Sequence, residues 1–363
     1  MQNLTNTFRI SASVAALVAC HSAASAHHPG GAGGTGASGP IHTLSAETLR
    51  QGQGVVGIVV DYQSLDELSD ATLIGAAEEA AAEGEEHSTV HSLSSIAAAS
   101  LNLAYGATSD LTISFRLPYV IRTDIREGEE HEPGEFETHL HGDADGLGDL
   151  TSMAQWRFWN AGGFQSALIG GVTAPTGKTN ESDREGEIFD AEFQPGSGAW
   201  QGHFGMALTQ RSGGWSFDAS AIYSAVSEGT QSTDLGDRFA FGAAVSYRVP
   251  GFGGGAGPMY AGAHAHTHAH ARGSPAHTHG EPDAGPTLDL IVEVNGEWAE
   301  KQDEGGEINP DSGGTVVYVS PGARLTAGEW SGFTSVGIPV VNDLNGIQSE
   351  PDWRIVSGVS VGF

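Results

Sequence analysis

The last eleven residues, WRIVSGVSVGF, alternate apolar with small or polar side chains and stop on Phe363. Successive side chains of an extended strand point to opposite faces. Trp353, Ile355, Val359, Val361 and Phe363 therefore share one face, and Arg354, Gly358, Ser360 and Gly362 the other. A strand that is greasy on one side and small or polar on the other suits a wall between lipid and a wet interior.

The pattern repeats. Leu111, Ile113, Phe115, Leu117, Tyr119 and Ile121 face away from Thr112, Ser114 and Arg116. Phe239, Phe241, Ala243, Val245, Tyr247 and Val249 oppose Arg238, Gly242, Ser246 and Arg248, and Trp215, Phe217, Ala219, Ala221 and Tyr223 oppose Ser216, Asp218, Ser220 and Ser224. Weaker copies lie near 55–65, 90–106, 148–159, 163–176, 199–211, 287–300, 314–326, 330–340 and 352–363, making twelve segments. Each is near or above the roughly 9–11 residues that a tilted strand needs to cross a bilayer.

A soluble sandwich also alternates, so two further regularities decide. Connections alternate between tight turns (Gly106–Ser109, Asn160–Gly163, Arg211–Gly214, Ala327–Glu329) and long acidic stretches (66–88, 122–146, 177–198, 301–313). Short inner turns, longer outer loops and an even strand count mark a membrane barrel. Aromatics of the apolar face also gather at strand ends: Tyr119, Trp200, Phe239, Trp298 and Trp353 at one edge, and Tyr105, Trp215, Tyr247, Trp330 and Phe363 at the other. Lipid tolerates only helices or closed sheets. The expectation is an all-β chain: an antiparallel transmembrane β-barrel of about 12 strands, with short periplasmic turns and long acidic outer loops.

Composition narrows the role. The 363 residues carry 45 acidic against 15 basic side chains, which argues against nucleic acid as a partner and favours cations or solubility as the purpose of the charge. Beyond the N-terminus no run of 18 apolar residues occurs, so a helical span is not expected. Residues 1–26 read as a secretory signal with Ala24-Ser25-Ala26 as the cleavage site, although Leu17-Val18-Ala19-Cys20 also fits a lipoprotein box. Residues 27–54 would then be a periplasmic N-terminal segment and 55–363 the barrel, with a His-rich insert at 259–284. Both termini are expected in the periplasm of a Gram-negative envelope.

The middle of the chain carries a resemblance. Leu117-Pro118-Tyr119-Val120, Gly146-Leu147-Gly148-Asp149-Leu150, Ala174-Pro175-Thr176-Gly177-Lys178 and Gln194-Pro195-Gly196-Ser197-Gly198 resemble signatures of the "MetA-pathway of phenol degradation" family, over roughly residues 100–363. The resemblance implies an outer-membrane barrel transporter and leaves the substrate open. The terminal aromatic strand resembles the C-terminal signal of outer-membrane barrels, which implies the barrel-assembly machinery as a partner of the Phe363 strand. Locally, Pro and Gly in these segments need only stop strand pairing and set turns. The stretch 171–179 also imitates a phosphate-binding loop, but that motif needs glycine where Val172 stands.

The histidines suggest metal. His264, His266, His268, His270, His277 and His279 put six imidazoles in sixteen residues, and His27, His28 and His42 lie near the N-terminus. Neutral imidazole binds Zn2+, Cu2+ and Ni2+, and this spacing suits a weak multi-site tract rather than a closed structural site. A disordered polar insert explains it equally well. His139 and His141, followed by Asp143 and Asp145, are a second candidate set in an outer loop. No cofactor is required.

The inward faces offer Arg116, Arg157, Arg238 and Arg248 beside Asp149, Asp218, Asp289, Glu293 and Glu297. Twelve strands lie between a filled eight-stranded barrel and an open porin, which implies a narrow path for small solutes or metal cations in contact with outer-membrane lipid. The expected function is a non-enzymatic outer-membrane channel, linked through its His-rich segment to divalent metal. The alternatives are a non-transporting metal-binding or structural envelope protein, or a barrel hydrolase built on inward-facing His203, for which no spacing singles out a triad.

Overall fold

The computed structural model describes residues 39–83, 90–252 and 285–363. The six tract histidines, His27 and His28 lie outside them. In chain order the strands are β1 (Gly54–Leu65), β2 (His91–Ser92), β3 (Ser95–Thr108), β4 (Leu111–Glu132), β5 (Glu135–Leu147), β6 (Leu150–Ala161), β7 (Phe164–Ala174), β8 (Gln201–Ser212) and β9 (Trp215–Val226). They continue with β10 (Thr233–Asp234), β11 (Arg238–Arg248), β12 (Thr287–Ala299), β13 (Asp303–Glu304), β14 (Glu307–Ile308), β15 (Gly314–Ala327), β16 (Trp330–Leu344) and β17 (Pro351–Gly362).

Twelve of these form a closed antiparallel barrel. Its order runs β4-β3-β1-β17-β16-β15-β12-β11-β9-β8-β7-β6, and β6 returns to β4. The C-terminal strand zips against the first barrel strand, and Gly54 and Phe363 exchange backbone hydrogen bonds of 2.9 Å. Closure leaves no unpaired edge, which is the condition for a sheet in lipid. Each of the twelve expected segments is a strand, with ends shifted by a few residues. Direct β11–β12 pairing leaves no strand between them in the sheet, as the expected topology required.

Burial is inverted relative to a soluble protein. Outward Leu103, Phe115, Leu168, Val292 and Val294 are exposed, whereas inward Asn102, Ser114, Asp218, Glu293 and Asn295 are buried. In water the preference runs the other way, so the apolar surface is the lipid-facing wall. Aromatics pair along its rims: Trp215 lies 4.5 Å from Tyr247 at the short-turn rim, and Phe204 lies 5.6 Å from Tyr223 toward the other. Among the described residues no helix is long and apolar enough to cross a membrane.

The long-loop rim is more ordered than an acidic loop reading suggests. β4 continues above the barrel to Glu132 and returns as β5, a hairpin where residues 122–146 read as irregular. Pro133-Gly134 makes the turn, with Gly134 at φ +81°. The helix α1 (Asp70–Glu83) forms on a run rich in alanine and glutamate, both good helix formers, and is started by Ser69, whose Oγ accepts from the Thr72 N–H at 3.2 Å. It lies against the hairpin, where Gly128 leaves room for the Leu73 carbonyl. β10, β13 and β14 form a small sheet at the same rim.

Candidate functional site

The barrel interior is occupied by the chain itself. Residues 40–49, which read as part of a periplasmic segment, thread the lumen and are held by wall side chains from eight strands, Gln165 of β7 reaching Glu47 at 3.4 Å among them. The Glu293 carboxylate accepts from the backbone N–H groups of Ile41 (2.6 Å), His42 (3.0 and 3.1 Å) and Thr43 (2.7 Å). Ser220 Oγ accepts from the Leu44 N–H at 3.0 Å, Thr209 Oγ1 from Ala46 at 2.8 Å and Thr112 Oγ1 from Leu49 at 2.8 Å. Gln155 Nε2 donates to the carbonyls of Ser45 and Glu47, and Arg324 to that of Pro40. His42 Nε2 lies 3.2 Å from Ser335 Oγ. An irregular segment away from water must have its backbone groups satisfied, and these wall residues satisfy six of its N–H groups and three of its carbonyls.

Packing completes the seat. Leu44 and Ala46 join Met153, Ala167, Ile169, Ala207 and Ile222 in one buried cluster, and Ile41 joins Ile291, Phe333 and Val356 in another. A methyl at Gly242 would lie 2.6 Å from Thr43 Oγ1, so the wall is glycine where the segment presses on it. Glu47 meets two nitrogens of Arg211, Nε at 3.0 Å and Nη2 at 2.8 Å.

The inward charges are paired along the wall rather than left to line an open path. Arg248 forks onto Asp289 with two 2.7 Å bonds, Arg157 meets Asp110 at 2.8 Å, and Arg238 lies 3.5 Å from Glu297. Arg116 donates to Ser100 Oγ at 3.0 Å, and Asp218 accepts from Thr209 and Ser216. The Arg354–Asp61 and Arg211–Glu47 pairs are additional; sequence parity did not connect them.

Asp149 has a different task. Its carboxylate accepts from the backbone N–H groups of Gly177 and Ser197 at 2.8 Å and from Ser197 Oγ at 2.7 Å. Gly148 donates to the Pro118 carbonyl, and Gly196 to that of Lys178. The four segments that carry the family resemblance thus meet in one knot at the long-loop rim. In the apparent phosphate loop the Gly177 amide is taken by Asp149 and those of Thr176 and Lys178 by the Ala174 and Leu147 carbonyls, so they do not cradle an anion. His203 lies 2.8 Å from both Thr173 Oγ1 and Ser224 Oγ. A hydroxyl therefore stands where a triad needs a carboxylate to orient the base.

A second polar cluster lies above the barrel, beside a cavity of about 510 Å³ lined by His91, Glu127, His141, Asp183 and Glu192. Glu127 bridges two imidazoles, 2.7 Å from His91 Nε2 and 3.3 Å from His141 Nε2. Glu129 lies 3.4 Å from His141 Nε2 and 3.8 Å from His139 Nδ1, and the ligand atoms of Glu129, His139 and His141 lie within 4.8 Å of one another. Burial would lift the Glu127 carboxyl, but its two imidazole partners hold it well below the ordinary value. The bond to Glu127 pushes His141 up to about 9, against burial and with help from Asp183. Burial opposes the charge on His91, yet Glu127 and Glu192 raise it well above the ordinary value. The structure thus joins His139 and His141 to Glu127, Glu129 and Asp183, which sequence spacing did not associate with them. Asp143 instead accepts from the Asp124 N–H at 3.0 Å, and Asp145 from the Tyr119 hydroxyl.

The family model described as "Putative MetA-pathway of phenol degradation" matches residues 98–288. The chain belongs to this family. Its fold is similar to that of an outer membrane channel from Pseudomonas putida F1, at a TM-score of 0.54 and 16% identity, covering 88% of this chain and 98% of that one. That likeness concerns the fold alone. LpxR from Salmonella typhimurium (TM-score 0.42, 14% identity, 85% and 99% covered) and a Pseudomonas aeruginosa FadL homologue (0.39, 8%, 95% and 99%) are similar at levels too low to carry an argument. No curated protein matches the chain. The family match and the closed twelve-stranded wall make this a β-barrel of the outer-membrane kind.

Proposed function

We propose that the protein is a channel for small solutes across the outer membrane, and that residues 40–49 are the element that closes it. One observation carries the reading: a polar lumen is filled by a short segment seated mainly through side-chain bonds to its backbone. A barrel whose purpose was purely structural could fill its interior with wall side chains, as eight-stranded barrels do. Here the filling is a tethered strand of chain that ends at Gly54, the first residue of the wall.

The short-turn rim is assigned to the periplasm, because the loops at the opposite rim are longer, as in other outer-membrane barrels. The termini and the His-rich stretch would then share the periplasmic side, where that stretch would bind divalent metal weakly. The Phe363 strand, paired to β1, is the one offered to the assembly machinery. Both ring nitrogens of His203 lie against hydroxyls, those of Thr173 and Ser224, which supports a structural role for it in the wall.

Planar-bilayer recording of the intact protein and of a variant lacking residues 27–50 tests the proposal. The expectation is small or infrequent currents from the intact protein and a larger, steady conductance from the truncated one. Absence of flux from a correctly folded truncated barrel would favour a non-transporting envelope protein.

A further inference from the structure

We propose that Glu127, Glu129, His139 and His141 form a binding site for a divalent transition-metal ion at the outer mouth, with Asp183 orienting His141. The hairpin builds the set. Glu127 pairs directly across from His139, and the register slips beside His141, which stands as the extra residue of a bulge. Gly142 follows at φ +107°, where a side chain would be strained. Bulges of this kind re-aim a side chain, and here the result brings His141 Nε2 to both carboxylates.

The distances also fit a shared centre. Charge-assisted hydrogen bonds from imidazole to carboxylate run at about 2.7–2.9 Å. His141 Nε2 instead stands off at 3.3 Å from Glu127 and 3.4 Å from Glu129. A tetrahedral ion with bonds of about 2.0–2.1 Å has ligand-to-ligand edges of about 3.3–3.4 Å. His139 Nδ1 lies 3.8 Å from Glu129, and the ligand atoms of His139, Glu129 and His141 lie within 4.8 Å of one another, which puts His139 in reach of the same centre.

The other nitrogen of His141 is already committed. Nδ1 lies 3.2 Å from Asp183 Oδ2, and Asp183 is nearly buried. Its Oδ1 accepts the N–H groups of Glu185, Gly186 and Glu187 at 3.0, 2.8 and 2.8 Å, so the carboxylate is fixed. With Nδ1–H donating to Asp183, an ion that displaces the Nε2 proton meets a lone pair already aimed between Glu127 and Glu129. This is the arrangement by which outer-shell carboxylates fix metal-binding histidines. Every ion pair of Glu127, Glu129 and Asp183 among the described residues is to an imidazole. Two nitrogen and two oxygen donors select zinc, nickel or copper over calcium or magnesium. The site goes beyond conduction, and its test does not depend on a current.

The test is calorimetric titration of Zn2+ alone into the detergent-solubilised full chain. To remove competing sites, the background carries glutamine at 264, 266, 268, 270, 277 and 279. The expected result is one site that survives this background and is lost, or weakened by more than about a hundredfold, in His139→Ala/His141→Ala. Asp183→Asn, which touches no ion, is expected to weaken it about 10–100-fold. Heat-modifiable gel mobility confirms that each variant is a folded barrel. The same titration curve with and without the His139/His141 replacement, both folded, would overturn the proposal.

Discussion

Replacing Glu293 by glutamine tests how the lumen segment is held. Glu293 is fully buried on β12 and accepts from three consecutive N–H groups, Ile41 through Oε1, Thr43 through Oε2 and His42 through both. The glutamine amide keeps one acceptor and turns a donor toward one of these N–H groups. Hydrogen bonds to a charged acceptor contribute about 1.5–3 kcal/mol each, and a buried donor left without a partner costs about 1–3 kcal/mol. A net loss of about 3 kcal/mol of docking energy is expected. At 1.36 kcal/mol per decade that is roughly a 150-fold shift of the docked-to-released ratio. Ordering ten residues costs about 10–20 kcal/mol, so docking is a difference of large terms and a shift of this size is felt. Single-channel recording should show open events far more frequent than in the unmodified protein and similar in amplitude to those of the truncated variant. Unchanged open probability in a folded Glu293→Gln barrel would refute the reasoning.

Three other outcomes are expected. Gly242→Val places its side chain against Thr43, so it should release the segment and raise conductance while leaving thermal stability of the barrel little changed, as read by gel mobility on heating. Val292→Arg puts a charge near the middle of the lipid-facing side of β12 and should destabilise insertion by about 2–4 kcal/mol in a urea titration in lipid vesicles. Arg354→Met takes from Asp61 its two-nitrogen partner on β17 and should cost up to about 3 kcal/mol in the same assay, with the double replacement Asp61→Leu/Arg354→Met recovering much of it.

The wall was legible because its physics is periodic. Alternation on β4, β9 and β11 fixed the faces, and each interior charge predicted from parity lies inside or at a rim. Helix α1 was legible from the alanine and glutamate run after Ser69. The lumen segment was not, because residues 40–49 have neither strand nor helix period and are ordered by partners more than a hundred positions away, such as Glu293 and Ser220. The β4–β5 hairpin was missed because dense glutamate reads as a solvated loop. Pro133-Gly134 and the two-residue spacing of His139 and His141 were the available signals. Asp183 carried none, since its role depends on a loop folding back onto β5.

The central claim is a closed sheet whose greasy side faces lipid and whose polar side encloses the chain's own segment. Single nitroxides placed in turn along β12, from Leu288 to Val294, test it most directly in reconstituted membranes. The account predicts a period of two: spins at Leu288, Leu290, Val292 and Val294 collide with oxygen dissolved in lipid, and those at Asp289, Ile291 and Glu293 do not. Uniform access to a water-soluble nickel reagent along both faces would contradict it.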